Sequence, residues 1–338
     1  MSQRPTQGAA ALLAQPLGAG SRVGQVLSDY IELTKPKVQS LLLLTTVTTM
    51  YVAGSPSPVL VLLTCLGGYL SAGGAGAVNH FFDRDIDGLM QRTANRPIPG
   101  GRVAPRSALT FGCVLAALSV MELSLTVNVL AAALSFAGFV GYVGVYTLWL
   151  KRRTPQNIVI GGAAGAVPPL VGWAAVRGSV GGTAVILFFI VFFWTPPHFW
   201  SLSLLMRGEY ERVGVPMLPV VAGERETRRQ ILLYAVLLYM VTQLPFCAGA
   251  FGPLYLGVSM LLGLGFIGGA VWLYRAPGAR GPSAAYGGAA GSADTGGTGG
   301  TISAADAAVA RQRALKLYLY SLAYLALLFA AMVVDVKL

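Results

Sequence analysis

Residues 58–87 read PVLVLLTCLGGYLSAGGAGAVNHFFDRDID, a long apolar run that ends abruptly in a string of charges. The first part, residues 58–80, contains no Asp, Glu, Lys or Arg. It is long enough to cross the hydrocarbon core of a bilayer, which takes about 20 apolar residues. Its small residues would let a neighbouring helix approach closely within lipid. The stretch therefore predicts a transmembrane helix whose polar end reaches the membrane surface.

Runs of the same kind recur along the chain. They cover residues 38–54, 107–122, 127–149, 157–176, 182–204, 231–249, 252–274 and 315–334. Only 11% of the residues are charged and 55% are hydrophobic, whereas a soluble protein has about 25% charged residues. This composition excludes a soluble enzyme and a disordered chain. We therefore predict an all-α membrane protein with nine transmembrane helices.

The basic residues predict how these helices are oriented. Of the 24 Lys and Arg residues, 22 fall in the N-terminal segment and in alternate loops, and only Arg177 and Lys337 fall on the other side. Loops rich in Lys and Arg stay in the cytoplasm, so we expect a cytoplasmic N-terminus and an external C-terminus. The net charge of +11 is spread over five short segments, which argues against nucleic acid as a partner.

Composition also divides the chain into segments. We expect residues 1–27 to form a flexible tail, residues 28–275 the transmembrane core of eight helices, and residues 311–338 the ninth helix of the same domain. Residues 276–310 are rich in Gly and Ala and cannot bury a core, so we expect them to form a flexible cytoplasmic loop.

The charged string after residue 78 has the spacing of a metal site. Asn79, Asp83 and Asp87 are four residues apart, so in a continuing helix they share one face. Mg²⁺ is usually held by one or two carboxylates together with substrate phosphates. A solvated, salt-bridged helix end is the alternative, but acids near a helix C-terminus are poorly placed for the helix dipole. Glu209 is a second candidate carboxylate, although a solvated loop explains it equally well.

Basic side chains follow this motif and occur again after the apolar run at residues 127–149. Arg92 and Arg96 are four residues apart and could form a guanidinium clamp on a phosphate group. Residues 151–153, KRR, follow Tyr146 at the end of an apolar run. Ordinary cytoplasmic-loop charge explains either group alone. Beside a diphosphate they would gain a second use.

The apolar run at residues 182–204 contains the string WTPPHFW near its end, at residues 194–200. Two prolines in a membrane helix free backbone carbonyls and bend the helix, which is tolerated where neighbours or a cavity compensate. His198 follows the prolines, and the only other histidine, His80, adjoins Asn79. A satisfied core histidine is the plain explanation for each. An axial haem ligand or a proton carrier are the specific ones.

Together these residues resemble a known family. A nine-helix membrane protein with N-x-x-x-D-x-x-x-D at the end of its second helix looks like the UbiA-type intramembrane prenyltransferases. Longer strings resemble one branch of that family, the protohaem IX farnesyltransferases or haem O synthases. These strings are TKPK at 34–37, DRDID at 83–87, NRPIP at 95–99, QNIVIGG at 156–162, PPHFW at 196–200 and GVPMLPVV at 214–221.

Two positions depart from the family pattern. The second Asp-x-x-x-Asp motif of the family is absent, and Glu209-Tyr210 stands in its place. The family's Tyr-x-x-x-Lys spacing is lengthened by one residue, from Tyr146 to Lys151. The likeness otherwise covers about residues 28–274 and the last helix.

The resemblance implies transfer of a farnesyl group from farnesyl diphosphate to a vinyl group of haem B. It implies Mg²⁺ as the cofactor, held by Asn79, Asp83, Asp87 and Glu209. Catalysis would involve Asp83, Asp87 and Lys151, and the diphosphate would be bound by Lys37, Arg92, Arg96, Tyr146, Lys151 and Arg152. Haem would contact His198, His80 and Trp200.

The resemblance also implies a cellular setting. The protein would be integral to the bacterial plasma membrane, or alternatively the mitochondrial inner membrane, with its active site on the cytoplasmic face. Its surroundings would be the lipid bilayer, and haem A synthase or oxidase assembly factors would be its protein partners.

Two other functions compete with this one. A UbiA-type enzyme with an aromatic acceptor, such as a quinone precursor, would carry the second Asp-x-x-x-Asp pair that is missing here. A secondary transporter would place polar or broken segments near the bilayer midplane, and often has inverted repeats. In this sequence the polar groups lie at one end of the predicted helices.

Overall fold

A computed structural model describes residues 19–286 and 303–338. Its long helices are α1 (Ala19–Leu33), α2 (Pro36–Ala53), α3 (Pro58–Phe82), α4 (Pro105–Thr126), α5 (Val129–Leu150), α6 (Asn157–Arg177), α7 (Gly182–Leu205), α8 (Gly223–Cys247), α9 (Pro253–Tyr274) and α10 (Ala304–Lys337). Short helical turns cover Arg84–Asp87, Arg207–Arg212 and Leu218–Val221. The described part of the chain contains no β-strand. The all-α prediction is therefore confirmed.

Eight of these helices, α3 to α10, are long and apolar enough to cross a membrane, counting only the described residues. All nine predicted runs coincide with helices, the first of them with α2. The nine-span count and the orientation of the termini stay predictions. Two helices begin earlier than their apolar runs, α8 at Gly223 and α10 at Ala304. In α8 the polar side chains of this extension include Glu224 and Arg228, which are buried against protein and not against lipid.

The structure describes part of each segment for which we expect flexibility, and the division of the chain into these segments stays a prediction. Helix α1 takes in residues 19–27, because Tyr30 and Leu33 anchor it against α4 and the 97–103 turn. Residues 276–286 have a defined course, since Arg228 donates to the carbonyls of Ala276 (2.9 Å) and Gly278 (2.8 Å). Residues 304–310 open α10, and the Ser303 hydroxyl caps it by accepting from the Asp306 amide at 3.0 Å. The rest of both predicted segments, 1–18 and 287–302, lies outside the described residues.

Close helix approaches depend on glycine. A Cβ at Gly74 of α3 would lie 2.6 Å from the carbonyl oxygen of Gly112 in α4, so these two backbones touch. Helices α7, α8, α9 and α10 pack around a second centre, where Phe266, Tyr324 and Leu238 are fully buried. The tight α3–α4 pair carries the Asn79–Asp87 motif, and the α7–α10 bundle forms the other part of the molecule.

Two helices have local geometry that the sequence does not show. The second part of α5, Gly141–Leu150, is wound as a π-helix, in which each amide bonds to the carbonyl five residues back. Helix α7 runs without interruption through Pro196 and Pro197, although both lack the amide hydrogen that would close the preceding turn. The two prolines therefore do not interrupt the helix before His198.

Candidate active site

The motif at the end of α3 keeps its predicted spacing. Helix α3 ends at Phe82 and helix resumes at Arg84, with Asp83 at the junction. The Asp83 amide donates to the Asn79 carbonyl at 2.9 Å, and the Asp87 amide donates to the Asp83 carbonyl at 2.8 Å. Asn79, Asp83 and Asp87 thus follow one another at helical intervals. Their exposed fractions are 3%, 1% and 3%, which excludes the solvated helix end considered for this motif.

Asp83 is the centre of the cluster. Its Oδ2 accepts hydrogen bonds from Asn79 Nδ2 at 2.7 Å and from Lys151 Nζ at 2.5 Å. Its Oδ1 is buried and has no hydrogen-bond partner among the described residues, and Arg152 Nη2 lies 3.9 Å away. A buried carboxylate oxygen without a hydrogen bond is costly and is suited to a cation.

Asp87 is paired on the next turn. Arg96 Nη1 donates to its Oδ2 at 2.7 Å, and the Thr93 hydroxyl donates to its main-chain carbonyl at 2.8 Å. Arg96 therefore lies in the cluster, beside Asp87. Arg92 is exposed and lies near Tyr210. Burial raises the pKa of the Tyr210 phenol, and the positive charge of Arg92 opposes this increase.

Asp85 and Arg152 form a separate pair at the surface. The guanidinium of Arg152 holds both carboxylate oxygens of Asp85, each at 2.6 Å. This hydrogen bonding lowers the pKa of the Asp85 carboxyl. Arg152, which we predicted to bind diphosphate, thus donates two hydrogen bonds to Asp85 and lies 3.9 Å from Asp83 Oδ1.

Lys35, which was not predicted, lies in the cluster. Its Nζ donates to Asn79 Oδ1 at 2.5 Å and to the Tyr142 hydroxyl at 3.4 Å. Desolvation, with the charges of Arg96 and Lys151 nearby, lowers the pKa of the Lys35 ammonium to about 7. Its backbone φ of 56° is the only positive value among the described non-glycine residues, a strained conformation of the kind found at functional sites.

Lys37, the predicted lysine, is exposed on the first turn of α2. The string Thr34-Lys35-Pro36-Lys37 offers two lysines, and only the backbone turn at Lys35 decides between them. The sequence gives one indication of this turn: Pro36 disfavours the right-handed helical conformation at the residue before it, Lys35.

The π-helical part of α5 explains the lengthened Tyr146–Lys151 spacing. The Lys151 amide bonds to the Tyr146 carbonyl at 2.9 Å, so residues five apart lie one above the other. The Tyr146 ring stacks on Tyr142, with centroids 5.4 Å apart, and packs over Gly161 of α6. The extra residue therefore leaves Lys151 directed at Asp83.

Glu209 does not join the two aspartates. Among the residues that the structure describes, no group of three or more His, Cys, Asp and Glu side chains is arranged to hold a metal. Glu209 lies on the short Arg207–Arg212 helix, and its Oε2 is buried without a hydrogen bond. The oxygen donors that fit Mg²⁺ are therefore those of Asp83 and Asp87, with the Asn79 amide beside them.

The predicted haem residues lie in two places. His198 is stacked between Trp194 and Tyr318, at centroid distances of 4.2 and 4.9 Å, and its Nδ1 is 2.7 Å from the Ser321 hydroxyl. Trp200, two residues on, is buried with its indole Nε1 unpartnered. His80 follows Asn79, and both of its ring nitrogens are buried with no hydrogen bond to any residue in the described ranges.

The fold and the cluster together define an intramembrane enzyme. Two buried carboxylates face Lys35, Lys151 and Arg96 at one end of a bundle of membrane helices. A model of the UbiA prenyltransferase family matches residues 42–291, and the chain belongs to that family.

Two relatives show how far the likeness extends. The protoheme IX farnesyltransferase of Symbiobacterium thermophilum is 54% identical over 254 residues, which are 75% of this chain and 85% of that protein. The protoheme IX farnesyltransferase of Chloroflexus aurantiacus is 50% identical over 312 residues, 92% of this chain. These are 48% of that protein, so the chain spans about half the length of this relative.

Solved structures share the fold at low identity. A structure of digeranylgeranylglyceryl phosphate synthase is similar with a TM-score of 0.69 and 19% identity, covering 93% of this chain and 100% of that one. A UbiA homolog from Archaeoglobus fulgidus, bound to DMAPP and Mg²⁺, is similar with a TM-score of 0.58 and 14% identity, covering 88% and 99%.

Proposed function

We propose that this protein transfers a farnesyl group from farnesyl diphosphate to a vinyl group of haem B. The observation that carries the proposal is the 54% identity to a protoheme IX farnesyltransferase over 85% of its length. Bacterial relatives of this kind favour the bacterial plasma membrane. The positive-inside charge pattern favours a cytoplasmic site.

The cluster suits a diphosphate brought in with a divalent cation. Asp83 and Asp87 supply two negative charges, against two positive charges from Lys151 and Arg96 and a third from Lys35 when it is protonated, which an approaching diphosphate would favour. The excess attracts an anion, and these cations can exchange their carboxylate partners for phosphate oxygens. Asn79, Asp83 and Asp87 would hold Mg²⁺, which when bound neutralises charge on the leaving diphosphate. The Archaeoglobus fulgidus homolog bound to DMAPP and Mg²⁺ shares this fold, which supports a prenyl diphosphate together with Mg²⁺ as what the site takes up.

The chain's own residues then assist departure of the diphosphate. Lys151 and Arg96 stabilise the negative charge that develops as the bond between farnesyl C1 and oxygen breaks. Arg92, exposed at the edge of the cluster, and Tyr146, above Lys151, complete the proposed diphosphate contacts. Packed membrane helices keep bulk water from the allylic cation.

Haem supplies the nucleophile. The vinyl π electrons form the bond to C1, and the positive charge passes to the vinyl carbon next to the ring. Water adds there and loses a proton, which leaves a hydroxyethyl-farnesyl side chain. His80, beside Asn79 and with both ring nitrogens unpartnered, and His198 with Trp200 are the proposed haem contacts.

The test uses purified full-length protein in lipid with farnesyl diphosphate, haem B and Mg²⁺. We expect the product to be haem O, identified by its mass. A chelator should abolish the activity, and added Mg²⁺ should restore it. A parallel reaction replaces haem with a hydroxybenzoate, the acceptor type of the competing UbiA enzymes. Prenylation of the hydroxybenzoate with haem left unchanged would overturn the proposal.

A further inference from the structure

The α7–α10 bundle has a cavity of its own at one end. The cavity has a volume of about 690 Å³ and lies between the last turn of α7, the first turns of α8 and α10, and the segment after α9. Part of its wall is apolar, with Leu204, Leu205 and an alanine-rich face of α10. The cluster at Asp83 is built on α2, α3 and α5, so the two sites are separate.

Charged side chains line the rest of this cavity, and they do not balance. Glu224 accepts from Arg280 Nε at 2.8 Å and from Arg228 Nη2 at 3.3 Å. Arg207 Nη1 lies 3.6 Å from the same carboxylate, and Arg311 lines the cavity from α10. Among the described residues that line the cavity, Glu224 is the one carboxylate and Arg228, Arg280 and Arg311 are the guanidinium groups, so the charge of this lining is positive.

Two arginines beside Glu224 are deeply buried, Arg228 in the cavity wall and Arg207 behind it. Arg228 is 2% exposed and Arg207 is 5% exposed. They donate to backbone carbonyls of Ala276, Gly278 and Gly281, which satisfies some N–H groups but cancels no charge. Arg228 Nε, Arg207 Nε and Arg207 Nη1 remain buried without hydrogen-bond acceptors in the described part of the chain. Buried charges and donors of this kind are costly unless an anion matches them.

The geometry points to a binding site for the phosphate of an anionic phospholipid. Guanidinium groups bind phosphate oxygens through paired hydrogen bonds. The ends of membrane helices lie at the depth of lipid headgroups, and basic pockets between such helices bind anionic headgroups. The leucine and alanine wall suits the glycerol and the first acyl carbons. Free phosphate shares the headgroup chemistry but has nothing to place against that wall.

The matched variants remove the same charge from different places. Arg228→Gln would also free two carbonyls that Arg228 now holds and could unfold the segment after α9. Arg280→Gln with Arg311→Gln instead removes two exposed cations at the cavity. The control, Arg225→Gln with Arg229→Gln, removes two cations from the exposed face of the same end of α8. Neither pair belongs to the proposed active site.

The measurement is the affinity of the full-length protein for phosphatidylglycerol, by native mass spectrometry, with thermal unfolding in nanodiscs as a second readout. We expect the cavity pair to weaken binding by about tenfold or more, since the variant loses charged hydrogen bonds to the phosphate. The control pair should bind as the wild type does, and phosphatidylcholine should bind weakly to all three.

Three results would overturn the assignment. Equal losses in both pairs would show general attraction to a basic surface, and equal binding of the two lipids would show no preference for an anion. Inorganic phosphate that stabilises the protein in phosphatidylcholine nanodiscs as strongly as phosphatidylglycerol does would assign the site to free phosphate. The farnesyl-transfer assay is independent of each outcome.

Discussion

Asp83 and Asp85 are two residues apart and have opposite environments. Asp83 is buried, holds Asn79 and Lys151, and keeps one oxygen without a hydrogen bond. Asp85 is exposed and pairs with Arg152. The proposed metal role belongs to the first aspartate only.

Exchanging each acid for its amide separates the two roles. We expect Asp83→Asn to lower kcat by about 10²–10³-fold, as losing a preorganised electrostatic group does. Asp85→Asn should stay within about threefold, because exposed ion pairs contribute little. The check is farnesyl transfer at saturating substrates across a Mg²⁺ titration, with expression level as the folding control. An Asp85 variant as inactive as the Asp83 variant would contradict the assignment.

Lys35 and Lys37 form a second natural pair at the residue scale. Lys35 is held in a strained backbone conformation against Asn79, whereas Lys37 points out from α2. We expect Lys35→Met to lower kcat/KM for farnesyl diphosphate about tenfold or more, the value of a charged hydrogen bond, and Lys37→Met to have little effect. Steady-state kinetics with varied farnesyl diphosphate decides, and a larger loss at Lys37 would favour the lysine that the sequence alone predicts.

At the scale of elements, the π-helix in α5 aligns Tyr146 and Lys151, which are five residues apart, so that one lies above the other in the site. Its register depends on α6, because a Cβ at Gly161 would overlap the Tyr146 ring and lie 3.0 Å from its Cγ. A Cβ at Gly165, on the next turn of α6, would instead stand in open space, with no contact to a neighbouring helix within 4 Å in the described part of the chain. These glycines therefore differ in what an added methyl group would meet.

Alanine at each position tests whether α6 holds Tyr146 in place. Gly161→Ala should lower the melting temperature and kcat/KM together, since overpacking costs about 1–3 kcal/mol and moves the ring above Lys151. Gly165→Ala should match the wild type in both measurements. If Gly161→Ala retains full activity, the α5–α6 contact does not position the site.

The sequence predicts the elements better than the contacts between them. Continuous apolar runs mark the helices α2 to α10 but not α1. The spacing of Asn79, Asp83 and Asp87 survives because the helix continues almost unbroken through Asp83. The choice of Lys35 over Lys37 depends on one backbone dihedral. The cavity arginines, which in sequence look like ordinary loop charge, acquire their meaning only when α7–α10 pack together.

At the scale of the whole molecule, α2 decides the topology. It has 18 residues, which at 1.5 Å each approach the thickness of about 30 Å of the hydrocarbon core. Its threonines lower its hydropathy, but Thr45, Thr46, Thr48 and Thr49 are buried. The first three also donate to carbonyls of their own helix. A helix that turns its polar side chains to protein can cross lipid, so we expect α2 to span.

Accessibility of the two ends of α2 tests this expectation. In a chain whose Cys65, Cys113 and Cys247 are replaced, single cysteines are placed as Lys37→Cys and Ser55→Cys, both exposed positions. If α2 spans and the N-terminus is cytoplasmic, a membrane-impermeant maleimide added to intact cells labels position 55 and leaves position 37 for labelling after lysis. Labelling of both positions from one side would show that α2 enters the membrane without crossing it. The number of transmembrane helices would then be eight. That outcome would also contradict the place of Lys35 in the cluster, because the hydrogen bond from Lys35 Nζ to Asn79 puts the start of α2 at the Asp83 end of α3.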